Sequence, residues 1–317
     1  MTQRILAPGE IESLAQRSIP RVRLPDRSRV FAHRARRLRD LAAGSSIEGY
    51  LRLLAVVADA QQAALAGFVA PLPDAAAIER AKTHRMPSIA ANGWPRDAAW
   101  RDVLKRLVDA AAAHPGAPEP MRRLAERVRS ASAQMLEAEA DAVLSQRTDA
   151  LDLALAPFVA AALQVHWTAL TAAFAADRVA LLDTPGVCPL CGSLPVASLV
   201  RAQSPYLGYR YLHCALCATE WHMVRVQCSQ CAAIGKDIAY HSLAREDADE
   251  AAVVADSAVR AESCEACRSY RKILYQEKDT AVEPVADDLA SLALDLLLAE
   301  RGYHRASGNP LLWQAGG

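Results

Sequence analysis

Four Cys-x-x-Cys pairs within residues 188–267 constrain this chain more than any other feature of it. They are Cys188-Pro-Leu-Cys191, Cys214-Ala-Leu-Cys217, Cys228-Ser-Gln-Cys231 and Cys264-Glu-Ala-Cys267, and they use all 8 cysteines of the 317 residues. Two thiolates three positions apart on a tight turn can face one ion while backbone N–H groups of the turn hydrogen-bond the sulfurs. A tetrahedral four-sulfur site needs two such turns. The eight cysteines therefore predict two metal ions, each held by four thiolates. Unligated buried thiols do not cluster in such register. A catalytic dithiol usually opens a helix, where the dipole lowers its pKa, and none of these pairs clearly does.

The gaps suit small modules in which a hairpin joins two knuckles, as in zinc ribbons and rubredoxin-like folds. There are 22 residues between the first and second pairs and 32 between the third and fourth. Sequential grouping, first with second and third with fourth, gives tandem modules that each fold locally. A cross-brace, first with third and second with fourth, would knot the region into one unit, and the 10 residues between Cys217 and Cys228 leave it open. Zinc and iron both fit four thiolates, whereas the ligand spacing of ferredoxins is absent. His213 and His222 flank the second pair. They are candidates for replacing Cys214 as a ligand, for supporting the thiolates or contacting a partner, or for packing on strand faces.

Residues before 183 hold no cysteine, and Asp183-Thr-Pro-Gly186 reads as a linker. The alanine-rich first part predicts an all-helical domain over 1–182, with helices at Arg29–Ala43, Ile47–Ala66, Asp97–Ala113, Pro118–Arg147 and Ala150–Leu182. A first four-cysteine module is expected over 183–226 and a second over 227–279, with short strands near Tyr209–Leu212 and His222–Val226. An exposed helix or loop is expected over the acidic stretch Arg245–Asp256. A C-terminal helix over 280–317 starts at Pro284, stops at Gly302 and presents Leu289, Leu292, Leu296 and Leu297 to the body. The architecture is thus multi-domain α with small metal-bound β modules.

Leu153–Ala176 carries no formal charge and is long enough to cross a bilayer. Its Pro157, Gln164, His166, Thr168, Thr171 and many alanines instead predict a buried helix of a soluble protein. The opening residues lack an apolar segment of secretory type, which predicts a cytoplasmic protein whose paired cysteines bind metal instead of forming disulfides. Nine arginines lie between 17 and 39 (Arg17, Arg21, Arg23, Arg27, Arg29, Arg34, Arg36, Arg37 and Arg39) against the single acid Asp26. A solvated helix face or a site for an acidic protein fits this run better than nucleic acid. The 36 basic and 36 acidic residues balance overall, and acids outnumber bases 12 to 10 over 183–279. Such a metal region repels phosphate. No nucleophile elbow, phosphate loop or zinc-protease motif is present, and a site filled by four protein ligands leaves no position for substrate. The chain reads as a non-enzyme.

Three motifs carry a resemblance. Tyr209-Arg-Tyr-Leu-His-Cys214-Ala-Leu-Cys217 is followed by Glu220-Trp-His222. Cys264-Glu-Ala-Cys267 continues into Arg-Ser-Tyr-Arg-Lys272. Ala286-Asp-Asp-Leu289 precedes Gly302-Tyr303 and Asn309-Pro310. With Arg34-Ala-Arg-Arg-Leu-Arg39, they resemble the formate dehydrogenase accessory (formation) proteins over nearly the whole chain. The resemblance implies a cytoplasmic factor without turnover of its own, required to produce active formate dehydrogenase. It implies that this factor binds the catalytic subunit before membrane targeting or export, and that iron is the metal. A rubredoxin-like electron carrier acting on that enzyme is the alternative reading, and a nucleic-acid-binding zinc ribbon a more distant one.

Overall fold

The computed structural model describes residues 19–180, 182–243 and 250–313. Arg17, the opening residues and residues 245–249 of the acidic stretch lie outside them. The first part holds helices α1 (Val30–Ala42), α2 (Glu48–Gly67), α3 (Ala75–Thr83), α4 (Trp100–Ala113), α5 (Glu119–Ser130), α6 (Ala133–Leu144) and α7 (Ala156–Ala172). In α1, Phe31, Arg34, Ala35, Leu38 and Ala42 are buried, the 3.6-residue stripe that packs it on α2. Gly44, at φ +75°, turns the chain between the two. The helix expected over Pro118–Arg147 is two helices. Ala131 and Ser132 are extended, and Ser132 Oγ caps α6 by accepting the Met135 N–H at 3.2 Å.

Helix α7 is the axis of this part. It is shorter than expected at both ends, starting at Ala156 with Pro157 in its first turn and ending at Ala172. Every residue from Phe158 to Thr171 is buried, against α2, α4 and α6. Among the described residues no helix is long and apolar enough to cross a membrane. Burial between the rings of Phe68 and Trp167 pushes His166 down to about 4, so it is neutral at physiological pH.

The second part is built on one sheet. Its strands are β1 (Val22–Arg23), β2 (Pro195–Val200), β3 (Arg210–Cys214), β4 (Glu220–Met223), β5 (Ile238–His241), β6 (Val259–Cys264), β7 (Ser269–Tyr275) and β8 (His304–Arg305). The order is β1-β4-β3-β2-β7-β6-β5, with β8 beside β7. Neighbours are antiparallel except β2–β7 and β7–β8. The parallel pair, with Ser198 opposite Ile273 and Val200 opposite Tyr275, joins the strands of the first cysteine module to those of the second. Strand β1 lies within the sequence read as helical and pairs with β4 through Val22 and Trp221. A short helix, α8 (Glu250–Asp256), occupies the described end of the acidic stretch.

The single C-terminal helix of the sequence reading is a pair, α9 (Pro284–Ala290) and α10 (Leu292–Glu300), broken at Ser291. The cause is a buried amine. Lys272 Nζ on β7 donates to the carbonyls of Asp288 at 2.7 Å and Ser291 at 3.1 Å, and pairs with Asp295 at 2.7 Å. Carbonyls bound to Lys272 are drawn away from a continuous helical ladder. The break rotates the apolar stripe: Leu294 and Leu298 are buried, while Leu296 is 67% exposed. Helix α9 packs on α1 and β2, and α10 on β6 and β8.

Among the described residues the arginine run is in part a solvated face, with Arg21, Arg29, Arg36 and Arg39 exposed, and in part paired within the molecule. Arg34 is buried and pairs with Glu283 at 3.0 Å. Arg37 pairs with Asp287 at 2.6 Å and Asp279 at 2.7 Å, and Arg23 with Glu220 at 3.3 Å. Arg27 donates to the carbonyls of Leu65 and Phe68, and Arg39 pairs with Asp59. Arg36 is exposed. These arginines tie α1 to α9 and β1 to the sheet.

Candidate metal centres

Three of the cysteine pairs fold as knuckles closed by their own backbone, and the fourth forms the turn between β6 and β7. Cys188 N–H donates to Ser193 O, Cys214 N–H to Thr219 O and Cys228 N–H to Ala233 O, at 2.8–2.9 Å. The residue after the second cysteine takes the left-handed conformation in all four: Gly192 (φ +75°), Ala218 (+57°), Ala232 (+64°) and Arg268 (+56°). Only the first is glycine, so the others hold strain that the turn requires. Ala232→Gly, in the exposed third knuckle, is expected to stabilise the protein by about 0.5–1 kcal/mol, the left-handed penalty less the entropy of glycine. Chemical denaturation of the metal-loaded chain checks this, and a destabilised variant would contradict it.

The knuckles meet as first with second and third with fourth, the sequential grouping and not the cross-brace. Cys188, Cys191, Cys214 and Cys217 form one group and Cys228, Cys231, Cys264 and Cys267 the other, with all Sγ atoms of a group within 4.8 Å of one another. In the first, Cys188–Cys217 is 3.5 Å, Cys191–Cys214 3.4 Å and Cys191–Cys217 3.6 Å. In the second, Cys228–Cys267 is 3.7 Å and Cys231–Cys264 3.6 Å. Sulfurs about 2.3 Å from a tetrahedral ion lie about 3.8 Å apart, so both groups fit one divalent ion each. Backbone N–H groups support the set: Leu216 and Cys217 reach Cys214 Sγ at 3.4 Å, and Gln230 reaches Cys228 Sγ at 3.3 Å. In the first group burial pushes the Cys188 and Cys214 thiols up. For Cys191 burial acts the same way, but hydrogen bonds from the other three thiols and Ser193 overcome it and lower its pKa.

The two groups sit in unlike surroundings. All four cysteines of the first are buried and belong to the main hydrophobic core, with Trp167, Leu190, Trp221 and Leu289. The polar residues of α7 grip its second knuckle. Gln164 Nε2 donates to Ala215 O at 2.7 Å and Thr171 Oγ1 to Cys217 O at 3.1 Å. Two helical turns separate these residues, so both face the knuckle. The first knuckle is held by Ile89 N–H to Leu190 O at 2.9 Å and Ala91 N–H to Cys191 O at 2.8 Å. Trp167 Nε1 fixes that loop through Ile89 O at 3.1 Å. In the second group Cys231 is exposed and Cys267 half-buried, and the apolar clusters around it are small.

His213 belongs to neither group. Its Nδ1 is 3.2 Å from Glu220 Oε1 across β3 and β4. Burial would raise the Glu220 carboxyl, but Arg201, His213 and Arg23 hold it well below the usual range. His222 packs edge-on between the rings of Tyr209 and Tyr211. Hydroxyls two residues past the last cysteine approach two of the sulfurs: Thr219 Oγ1 is 3.2 Å from Cys217 Sγ and Ser269 Oγ 3.0 Å from Cys267 Sγ. The spacings Cys217-Ala-Thr219 and Cys267-Arg-Ser269 carry that signal in the sequence.

Comparison with known proteins finds three family models that match successive stretches of the chain. Residues 19–183 match the family model for FdhE, N-terminal; 187–225 that for the FdhE central domain; and 226–312 that for the FdhE C-terminal domain. The FdhE homolog of Cronobacter sakazakii is 39% identical over 321 aligned residues, covering 100% of each chain. FdhE of Escherichia coli O9:H4 is 38% identical with the same coverage. The crystal structure of FdhE from Pseudomonas aeruginosa superposes with a TM-score of 0.80 at 39% identity, over 94% of this chain and 100% of that one. A helical part, a sheet carrying two four-cysteine groups and relatives matched end to end place the chain in the FdhE family of formate dehydrogenase formation proteins.

Proposed function

We propose that this chain is a cytoplasmic, non-enzymatic accessory factor that binds the immature catalytic subunit of a formate dehydrogenase and is needed for that enzyme to become active. The eight cysteines Cys188, Cys191, Cys214, Cys217, Cys228, Cys231, Cys264 and Cys267 hold two metal ions, iron as the family resemblance implies, or zinc. The observation carrying this reading is the closed donor set. Each group supplies four sulfurs at tetrahedral spacing, which completes the coordination of one ion and leaves no position for a substrate. The ions then serve to fix the knuckles and the sheet that presents them. Nucleic acid is not the partner, a reading supported by the internal pairing of Arg23, Arg34, Arg37 and Arg39. Deleting the gene is expected to abolish formate dehydrogenase activity while the catalytic subunit is still synthesised, and the tagged chain is expected to retain that subunit. Unchanged activity in the deletion strain would sink the proposal.

Exposure of Cys231 favours a second reading, an electron carrier that works through the second centre. It requires iron and a reversible change in visible absorption on reduction. Protein purified without oxygen that is colourless and filled with zinc excludes it.

A further inference from the structure

A buried positive charge beside the second cysteine group has no carboxylate of its own. Arg271, on β7, is 4% exposed. Its Nε donates to Ser229 Oγ at 2.9 Å, and its Nη1 to Pro195 O and to Ser307 Oγ at 2.5 Å. Its Nη2 has no hydrogen-bond partner among the described residues. None of these acceptors is charged, and a guanidinium removed from water without an anion is strongly disfavoured. The other buried cations among the described residues are all paired: Arg34 with Glu283, Arg210 with Glu262, and Lys272 with Asp288 and Asp295. Arg271 forms no ion pair among the described residues.

A cavity of about 10 Å³, room for one water, shows what Arg271 faces. It is lined by Arg271, Cys228, Cys264 and Glu262, among others. Glu262 is already engaged by Arg210 at 2.7 Å and by the Tyr240 hydroxyl at 3.2 Å. Arg271 makes no hydrogen bond to that carboxylate, and besides the hydroxyls of Ser229, Ser263, Ser269 and Tyr270 the cavity is lined by the Cys228 and Cys264 thiols of the second group.

We propose that the metal-loaded second centre is the counter-ion of Arg271. The proposal rests on the reading that the cysteines hold metal. A divalent ion with four thiolates carries a charge of about −2, which balances the buried cation through the cavity wall. Arg271 is a positioning residue: it strengthens metal binding at the second centre through charge. The first centre has neutral hydrogen-bonding groups at its knuckles, and Arg271 reaches it only through the carbonyl of Pro195, the residue opposite Cys214, so no charge of Arg271 is assigned to it.

The test uses the full chain, stripped of metal under anaerobic conditions and titrated with Co²⁺, whose tetrathiolate complex absorbs in the visible. Iodoacetamide labelling, read by mass spectrometry, assigns each equivalent to a cysteine group. Wild type is expected to take up two equivalents. Arg271→Gln is expected to bind the second-group equivalent about tenfold more weakly or worse, as for a buried charge left without its partner. The first equivalent is expected to be unchanged. Arg271→Lys, which keeps the charge but not the guanidinium fork, is expected to stay within about threefold of wild type. Wild-type affinities in Arg271→Gln, a loss that falls on the first group, or an Arg271→Lys loss as large as that of Arg271→Gln would each overturn the proposal. If Arg271→Gln does not fold, Arg271→Lys decides alone, with a tenfold loss overturning the proposal. A wild-type chain that takes up no Co²⁺ overturns the underlying metal reading as well, and is told apart by that.

Discussion

Cys188→Ser is expected to unfold the protein, and Cys231→Ser to loosen only part of it. Both remove one thiolate from a four-sulfur set, so the chemical loss is the same. The surroundings differ. A structural four-cysteine ion contributes on the order of 10 kcal/mol to the folding of its module, while a whole domain is stable by only about 5–15 kcal/mol. The first centre lies in the core that also holds α2, α4 and α7, and Gln164, Thr171, Ile89 and Ala91 hydrogen-bond its knuckles. Loss of that ion leaves polar groups of α7 and of the Ile89 loop without partners inside the core. The second centre borders solvent at Cys231 and is backed by small satellite clusters. Circular dichroism melting and metal content decide the matter. Cys188→Ser is expected to lose helical signal or precipitate, and Cys231→Ser to keep the helical transition with one ion bound. A Cys188→Ser chain with two ions and the wild-type melt would refute the argument.

The second large effect is expected from Arg34→Met, which should cost about 3–5 kcal/mol, the usual result of removing one member of a buried ion pair. Arg34 Nε meets Glu283 at 3.0 Å and its Nη1 meets Gln164 Oε1 at 3.0 Å. Glu283 also caps α9, accepting the N–H groups of Val285 at 3.0 Å and Ala286 at 2.7 Å. Without Arg34 the carboxylate stays buried and uncompensated at the head of that helix. Glu283→Gln added to Arg34→Met is expected to recover part of the loss, since the amide oxygen still accepts and no charge is stranded. Urea denaturation of the two variants measures both quantities. A cost below about 1 kcal/mol, the range of exposed ion pairs, would show that the interface does not depend on this contact.

The eight cysteines were legible because each knuckle is local: the spacing alone brings two sulfurs together, and only the grouping of knuckles awaited the sheet. Helices α1 and α2 were legible from their apolar rhythm and the Gly44 turn. The split of α5 from α6 was missed, although Ser132 before an apolar run is a capping signal. The break at Ser291 could not be read, because it is caused by Lys272 on another strand. The pairing of Arg34 and Arg37 is out of reach of the sequence for a related reason: their partners Asp279, Glu283 and Asp287 lie more than 240 positions along the chain. The inequality of the two centres was equally hidden. It depends on which group α7 covers, and the polar residues of that helix showed only that it was no membrane span.

Those long-range clasps bear on how the chain is made. Arg34 and Arg37 reach Glu283 and Asp287, and the Tyr50 hydroxyl donates to Leu311 O. On the ribosome α1 is synthesised among the first elements, yet its carboxylate partners emerge among the last. In a chain still in synthesis all eight cysteines are therefore made before α9 can close against α1.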